Sequence, residues 1–407
     1  MKKSVLILGS LLISNTAAMG ANETSYGTGA AATGDNSTAI GAGAAASGVN
    51  STAEGAFSAA SGEWSTATGL VAQATGAFTT AVGASAQATN ENATAAGFTA
   101  RAYGANSTAT GTLSYATGTN STATGMIAQA TGEGSTATGV DAQATGAFTV
   151  ADGLSSRATG DNATALGFSS QATGPNSTAI GNQSIASSDN STATGMVAQA
   201  TGSFATANGA DAQATGDYST AIGSSTRSTG TLSTSVGIRA SAAGYNAVAI
   251  GADSFAGEDN SVSVGAVGAE RTIVNVAAGR MTDGSTDAIN GGQLYTEITT
   301  RLLADNALNT RLDNLSSRVD ALANQLDRLD RKSSASTAAA MAMAGGGFLP
   351  DMRFNLSTNM ATYDGAYAVS AQMGFLVTPH VAVHAGFASS LNYGGKTGGR
   401  VGMIFGW

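Results

Sequence analysis

The sequence predicts a mostly β protein in three parts: a long parallel β-roll, a coiled-coil stalk and a C-terminal group of four β-strands. Three observations predict it. Glycine recurs every 14 residues over most of the chain, leucines then follow a three-and-four spacing, and the C-terminal residues alternate between apolar and small or polar types. The composition agrees, because Gly makes up 55 of 407 residues but Pro only 3, whereas disordered Gly-rich chains are usually also rich in Pro or charge.

Residues 1–21 are predicted to be a signal peptide for export. Lys2 and Lys3 provide a positive start, residues 5–13 form an apolar run, and small residues before Ala21 provide a cleavage region. The apolar run is too short to span a bilayer as a permanent helix. Cysteine is absent, so the exported chain must gain its stability from backbone hydrogen bonds and oligomerisation rather than from disulfides.

Residues 22–268 are predicted to form the β-roll, or head. The main glycine of each repeat recurs from Gly27 to Gly265, and a second glycine lies halfway in most repeats, with Asn90 and Ser188 where it is missing. Two turn residues per repeat predict two short strands per coil, and the Asn substitution predicts a left-handed backbone at the second position. Stacked about 4.7–4.9 Å apart, the coils would extend over roughly 85 Å.

Four columns of small residues are predicted to fill the inside of the roll. Ala39 and Ala46 begin columns that are Ala in almost every repeat, and Ser37 and Ala44 begin columns of Ser, Ala or Thr. The intervening side chains point outwards because strand residues alternate between faces. One outer face mixes Thr with aliphatic residues and is predicted to contact sister chains. The other face carries Gln and Arg and is predicted to meet solvent.

Charge and chemistry exclude several function classes. Residues 22–268 contain no Lys, four Arg and fifteen Asp or Glu, a net charge of −11, so nucleic acid is excluded as a ligand. The only histidines, His380 and His384, are expected in a turn and in the lumen of the C-terminal strands. The acidic residues lack metal-ligand spacing, and no phosphate-binding glycine motif precedes a helix. We therefore predict no enzyme activity, no catalytic residue, no cofactor and no metal.

Large or charged side chains on this small-residue surface are the candidate ligand contacts. They are Trp64, Phe78, Phe204, Tyr218, Arg101 and Arg157. Each aromatic pair is one repeat apart, which stacks its members at one corner of adjacent coils as an exposed apolar patch. The alternative is a corner ladder that protects turns or packs against a sister chain, and for the arginines simple solvation. A recurrent Asn column is explained by turn geometry and side-chain-to-backbone hydrogen bonds.

Residues 269–293 are predicted to be a neck and residues 294–332 a coiled-coil stalk. The seam with three-and-four spacing consists of Leu312, Leu315, Val319, Leu322, Leu326 and Leu329. Continued backwards, this seam includes Arg301 and Asp305. These two are either a buried polar layer that fixes the register or evidence of a local shift towards Leu302 and Leu303.

Residues 333–407 are predicted to be a membrane anchor. A slim Ala- and Ser-rich segment, Ser333 to Ala344, is expected as a helix in the lumen, and Asp364-Gly365 as a hairpin turn. Apolar residues on alternate positions of the strands are expected to face lipid, ending with Val401, Met403, Phe405 and Trp407. Four strands cannot close a barrel, and two chains would leave no room for helices. Three chains would give a 12-stranded barrel, so a homotrimer is predicted.

The chain resembles the YadA-like trimeric autotransporter adhesins over nearly its whole length. Asn36 to Gly41 and Asn246 to Gly251 are similar to that family's head repeats, and Ile273 to Gly279 and Thr286 to Leu294 to its neck. The resemblance implies a left-handed roll and display at the cell outer membrane with the help of the barrel-assembly machinery. It also implies attachment to extracellular-matrix proteins such as collagen, and clumping of cells through the same protein on a neighbour.

Threonine arrays suggest a function of another class. Thr-x-Thr recurs at residues 66/68, 108/110, 122/124, 136/138 and 192/194, and such an array could match ordered water. An ice-binding or abiotic-surface-binding solenoid on the same anchor is therefore the alternative to an adhesin. The simpler explanation is that β-branched Thr suits strand surfaces.

Overall fold

The computed structural model describes residues 22–394 and 396–407, and the predicted signal peptide lies outside them. The chain divides into two units, the first ending at Thr272 and the second running from Ile273 to Trp407. In the described residues, no helix is both long and apolar enough to cross a membrane.

The first unit is a β-solenoid in which each coil contributes one strand to each of two parallel sheets, as predicted. Every strand pairs with its counterpart 14 residues on, for example Thr38 with Thr52. The 18 strands of sheet 1 are Thr24–Tyr26, Thr38–Ile40, Thr52–Glu54, Thr66–Thr68, Thr80–Val82, Thr94–Ala96, Thr108–Thr110, Thr122–Thr124, Thr136–Thr138, Val150–Asp152, Thr164–Leu166, Thr178–Ile180, Thr192–Thr194, Thr206–Asn208, Thr220–Ile222, Thr234–Val236, Val248–Ile250 and Val262–Ser263. The strands of sheet 2 are Ala31–Ala32, Ala45–Ala46, Ala59–Ala60, Gln73–Ala74, Gln87–Ala88, Arg101–Ala102, Tyr115–Ala116, Gln129–Ala130, Gln143–Ala144, Arg157–Ala158, Gln171–Ala172, Ile185–Ala186, Gln199–Ala200, Gln213–Ala214, Arg227–Ser228, Ser241–Ala242 and Phe255–Ala256.

The four predicted inner columns form the core of the solenoid. Ala39, Ala46, Ser37 and Ala44 are all fully buried, and the same columns are buried along the head. Many of the inward hydroxyls donate to the carbonyl three residues earlier, as from Ser135 Oγ to the Gly132 oxygen at 2.6 Å. Such bonds satisfy a buried polar group locally, so Ser and Thr fit beside Ala in this narrow interior.

The two glycines of a coil serve different purposes. The main glycines from Gly27 to Gly251 have φ between +106° and +145°, a region that L side chains rarely adopt. The second glycines are not left-handed, so the prediction for that position was wrong. They are required by close packing, since a Cβ added to Gly132 would lie 1.8 Å from the Gly146 carbonyl oxygen. Where the second glycine is missing, the side chain bonds to the next coil, as from Ser188 Oγ to the Thr201 oxygen at 2.6 Å.

The second unit contains one helix, α1, Gly291–Ala344, of 54 residues. Asn290 caps its start, because the Asn290 Oδ1 accepts from the Gln293 backbone N–H at 3.1 Å and the Gln293 Oε1 accepts from the Asn290 N–H at 3.2 Å. The predicted stalk and the predicted lumen helix are parts of this single helix. It ends where three glycines begin at residue 345, because glycine disfavours helix continuation.

Four antiparallel strands follow the helix: Phe354–Tyr363, Ala366–Thr378, Val381–Ser390 and Thr397–Phe405. The predicted hairpin at Asp364-Gly365 is confirmed, with φ of 44° and 74° at its two residues. The C-terminal part of α1 packs on one face of this sheet through small side chains. The buried contacts are Ala335, Ala338, Ala339 and Ala342 of the helix and Ala366, Ala368 and Ala388 of the strands.

Candidate functional site

The corner of the head that follows each second glycine, for example Asp35-Asn36, has a left-handed residue in every coil from Asn22 to Asn260. We call this corner the Asn edge. Its left-handed residues have φ between 51° and 64°, and most are Asn. Asn tolerates this region better than other non-glycine residues, so the explanation by turn geometry is confirmed. The predicted bonds to the backbone are replaced here by a side-chain ladder, for example from Asn92 Nδ2 to Asn106 Oδ1 at 3.0 Å.

The predicted aromatic candidates lie on the Asn edge. Trp64 and Phe78 occupy left-handed positions in adjacent coils and are 55% and 53% exposed. Phe204 and Tyr218 occupy the same positions further along, with ring centroids 5.0 Å apart and planes within 3° of parallel. The structure therefore presents each pair as an exposed surface of aromatic rings. Phe148, 61% exposed, is a further aromatic on this edge that the sequence analysis did not single out.

The Asn edge is also acidic. Its carboxylates, at the position before the left-handed residue, are Asp35, Glu63, Glu91, Glu133, Asp161, Asp189, Asp217 and Asp259. Some of them also support the turn, since Asp161 Oδ1 accepts from the Ala147 backbone N–H at 2.9 Å and Asp217 Oδ1 from the Ser203 N–H at 2.9 Å. This concentration of charge was missed from the sequence. The signal that would have revealed it is the residue type one position after each second glycine.

The predicted arginine contacts lie elsewhere, on the outer face of sheet 2. The Arg101 guanidinium carbon lies 4.9 Å from the ring centroid of Tyr115, and its Nη1 donates to the Tyr115 hydroxyl. Arg157 stands in the same row, between Gln143 and Gln171 of the neighbouring coils. The structure therefore does not bring the arginines together with the aromatic candidates.

Exposed apolar side chains line the opposite corner, which follows each main glycine and which we call the Gly edge. They include Phe57, Leu70, Phe98, Met126, Leu154, Phe168, Met196 and Ile238, and the adjoining column of sheet 1 adds Ile40, Val82, Leu166, Ile180, Ile222, Val236 and Ile250. Glu54 and Asp152 stand in the same sheet 1 column. The sheet 1 column belongs to the outer face that was predicted to contact sister chains, and the Gly edge adjoins it.

Every residue of the predicted helical seam is exposed on α1. The exposed fractions run from 54% at Leu315 to 68% at Leu326. Leu302 and Leu303, at 59% and 66%, are exposed as well. Arg301 pairs with Glu297 one turn earlier, at 3.4 Å, so its partner in a single chain lies on its own helix.

The neck contains an ion pair that spans the turn at residues 282–284. Arg280 Nε donates to Asp287 Oδ2 at 2.8 Å, and Nη2 donates to Oδ1 at 3.2 Å. The hydrogen bond from this guanidinium, followed by one from the Arg280 backbone N–H, holds the pKa of Asp287 below its ordinary value. The carboxylate therefore stays charged to lower pH than a free aspartate.

The C-terminal sheet has one apolar and one small or polar face. Val401, Met403 and Phe405 are 79%, 64% and 63% exposed on the apolar face, and Trp407 lies beyond the end of the last strand. On the other face, Ser370 Oγ donates to the Ala342 carbonyl of α1 at 2.7 Å. Polar side chains continue on this face, where Arg400 Nη2 donates to Gln372 Oε1 at 2.8 Å.

Within residues 22–394 and 396–407, no three His, Cys, Asp or Glu side chains are grouped so that they could hold a metal ion. His384 lies against Gly402, where an added Cβ would be 2.5 Å from its Nε2. His380 lies at the turn before Val381.

Comparison with known proteins gives matches along both units. Overlapping copies of the YadA head domain repeat match between residues 27 and 266, more than half of the chain, and the coiled stalk of trimeric autotransporter adhesin matches residues 272–318. A crystal structure of the collagen-binding domain of the Yersinia adhesin YadA is 27% identical, with 48% of this chain and 85% of that chain covered and a TM-score of 0.25. No curated protein matches the sequence.

Proposed function

Because the chain belongs to the YadA-like trimeric autotransporter adhesins, we propose that three copies assemble at the outer membrane and display their heads for attachment. The C-terminal strands are the anchor in this proposal, inserted with the barrel-assembly machinery. The displayed head attaches the cell to an extracellular-matrix protein such as collagen, or to the same protein on another cell.

The two faces and the two free edges of the C-terminal sheet support this proposal most strongly. In the described residues of one chain, Phe354–Tyr363 and Thr397–Phe405 each pair with another strand on one side only. Within lipid, an unpaired backbone polar group costs several kcal/mol, so these edges require strands from other copies. The polar face already holds α1. Eight strands would leave no space for helices inside, whereas twelve would enclose one from each of three chains.

The exposed seam of α1 supports association of several copies. Its six apolar residues repeat with the spacing of a coiled coil. Burial of a Leu side chain stabilises by about 1.5–3 kcal/mol, so the seam gains substantial free energy only when helices from several copies associate. Val401, Met403, Phe405 and Trp407 are the residues that we assign to the lipid boundary.

The Gly edge and the adjoining column of sheet 1 are the proposed contacts between heads. Many exposed apolar side chains lie on this surface, and contiguous exposed apolar patches usually mark an interface. With this surface turned inwards, the Asn edge of each chain faces outwards. Each trimer would present three outward Asn edges, and each cell would present many trimers. Together they would convert weak single contacts into firm attachment.

Display of the full-length protein on bacteria tests the proposal. We expect an outer-membrane trimer that separates into monomers on heating, and attachment to immobilised collagen, fibronectin or laminin, or clumping of cells. Deletion of residues 22–268 should abolish attachment but keep the trimer. Leu322→Ser should weaken the trimer, whereas Asn324→Ser, at an outward position of the same turn, should not. A monomer that stays in the periplasm would contradict the anchor and the trimer together.

A further inference from the structure

Three phenylalanines occupy positions of the Asn edge that cost them free energy. Phe78, Phe148 and Phe204 have φ of 58°, 53° and 57°. A left-handed backbone costs an ordinary L residue about 1–2 kcal/mol, and Asn, which fills most other coils of this edge, lowers that cost. All three rings are at least half exposed, so the residues gain little from burial. An unfavourable backbone with an exposed aromatic ring points to a role outside the fold.

Each of these rings lies between two carboxylates. Phe78 has Glu63 in the preceding coil and Glu91 in the following coil, and the Phe78 backbone N–H donates to the Glu63 carbonyl at 2.7 Å. The two acidic residues are two coils apart, about 10 Å along the edge, and Phe78 belongs to the coil between theirs. All three side chains are exposed.

The other two phenylalanines also belong to coils between acidic coils, although the Phe148 ring lies against Gly134 of the preceding coil and the Phe204 ring is stacked on Tyr218 of the following coil. Glu133 and Asp161 flank Phe148, and Asp189 and Asp217 flank Phe204, again with backbone bonds from the Phe148 and Phe204 N–H groups to the preceding acidic residue at 2.7 and 2.9 Å. We call each set an acid–aromatic–acid module. Trp64 before the first module and Tyr218 after the third enlarge the aromatic surface.

The chemistry of a module matches a cationic side chain. The face of an aromatic ring attracts an ammonium or guanidinium group, and carboxylates in the coils before and after, whose backbones lie about 5 Å to either side, add charge attraction. The arginines of the head lie on sheet 2 and on the Gly edge, so this chain does not fill the modules itself. We propose that the Asn edge binds a basic polypeptide, with a Lys or Arg side chain of the partner on each of the three phenylalanines.

The module spacing defines the form of the partner. The first two phenylalanines are five coils apart and the last two are four coils apart, which corresponds to about 24 and 19 Å. An extended polypeptide covers these distances with about seven and six residues. A partner with one cation in every six or seven extended residues therefore reaches all three modules. This inference rests on the proposed function, because it needs the Asn edge to face outwards on a displayed head.

A labelled peptide tests the proposal on cells that display the full-length protein. The probe has three Lys residues separated by six Gly or Ser residues, and its counterpart carries Glu in place of Lys. We expect saturable binding of the Lys peptide only. Combined Phe78→Asn, Phe148→Asn and Phe204→Asn should weaken binding tenfold or more, from about two- to fivefold per module. Asn suits the left-handed backbone, so the head should remain folded.

Two matched charge variants show whether the peptide binds through the modules or only through the overall negative charge of the head. Glu63→Gln with Glu133→Gln should weaken peptide binding several-fold. Asp35→Asn with Asp259→Asn removes the same charge from coils of the Asn edge that do not flank a phenylalanine, and should leave binding within twofold of the parent. Unchanged binding in the triple phenylalanine variant, or equal loss in both charge pairs, would overturn the proposal. Cells that still clump or hold collagen but never bind the Lys peptide would overturn this inference alone and leave the proposed function intact.

Discussion

Enlarging one inner alanine should unfold the head locally at that coil. Ala137 lies in the strand Thr136–Thr138, is fully buried, and pairs with Ala123 and Ala151 of the neighbouring coils. Ala137→Leu adds three carbon atoms to an interior whose facing columns are also Ala. The surrounding inner columns hold only Ala, Ser and Thr, whose side chains are too short to move aside and make space.

The expected cost follows from this lack of space. Extra methylene groups in a packed core usually cost about 1–3 kcal/mol and occasionally more, and we expect the upper end, about 3 kcal/mol per chain. In a solenoid each coil contacts only its neighbours. The loss should therefore remain local and open the coils around residue 137, while the coils on either side keep their own pairing.

Limited proteolysis and hydrogen exchange of the displayed protein measure this effect. We expect a new cleavage region within residues 123–158 and faster amide exchange there. Two variants serve as controls. Ala137→Ser should be tolerated, because Ser235 stands in the same column, and Thr138→Leu should be tolerated because its side chain points outwards, where Leu166 stands in the same column. Equal protease resistance of Ala137→Leu and Thr138→Leu would refute the narrow-interior argument.

Three further predictions concern the turns and the neck. Gly132→Ala should lower the thermal stability of the head by about 1–3 kcal/mol, because the new Cβ would overlap the Gly146 carbonyl oxygen; an unchanged melting curve would contradict the close packing. Asn106→Ala should lower the free energy of unfolding of the head by about 1 kcal/mol, because the ladder bonds are lost and Ala is strained in a left-handed backbone. Asn106→Gly should lower it less, and chemical denaturation measures both. The Arg280–Asp287 pair should stabilise the neck fully above about pH 3.8, the ordinary pKa of Asp. The stabilisation should be lost as the pH falls from there through the lower pKa that Asp287 has in the folded state. Asp287→Asn should remove that acid-dependent step from the pH profile of neck unfolding.

The sequence predicted the inside of the head well because the interior obeys one period. A position that faces inwards in one coil faces inwards in all, so the Ala39 and Ala46 columns could be read from spacing alone. The second glycine was misinterpreted because sequence does not distinguish a left-handed residue from one that touches the next coil. Gly132 and the left-handed Asn120 belong to the same kind of turn, and only the coordinates separate their roles.

The acid–aromatic–acid modules could not be predicted from a single column. Glu63 and Phe78 differ by one coil and one position, and so lie in different columns of the repeat. Their proximity depends on how far each turn residue projects and on the parallel register of the coils. Similarly, the helical pattern of residues 294–332 did not show that α1 continues to Ala344, because its Ala- and Ser-rich end lacks a strong apolar period.

Separate demands on inner and outer positions explain how one repeat can combine a constant fold with a variable surface. Inner positions accept only small residues, because any enlargement acts on both sheets. Turn positions of the Asn edge accept Asn, Phe, Trp or Tyr, at a cost of about 1–2 kcal/mol for the aromatic residues. Because each coil pairs only with the coils before and after it, that cost stays local. A surface that recognises a partner can therefore change coil by coil without disturbing the core, and the three phenylalanines are such changes.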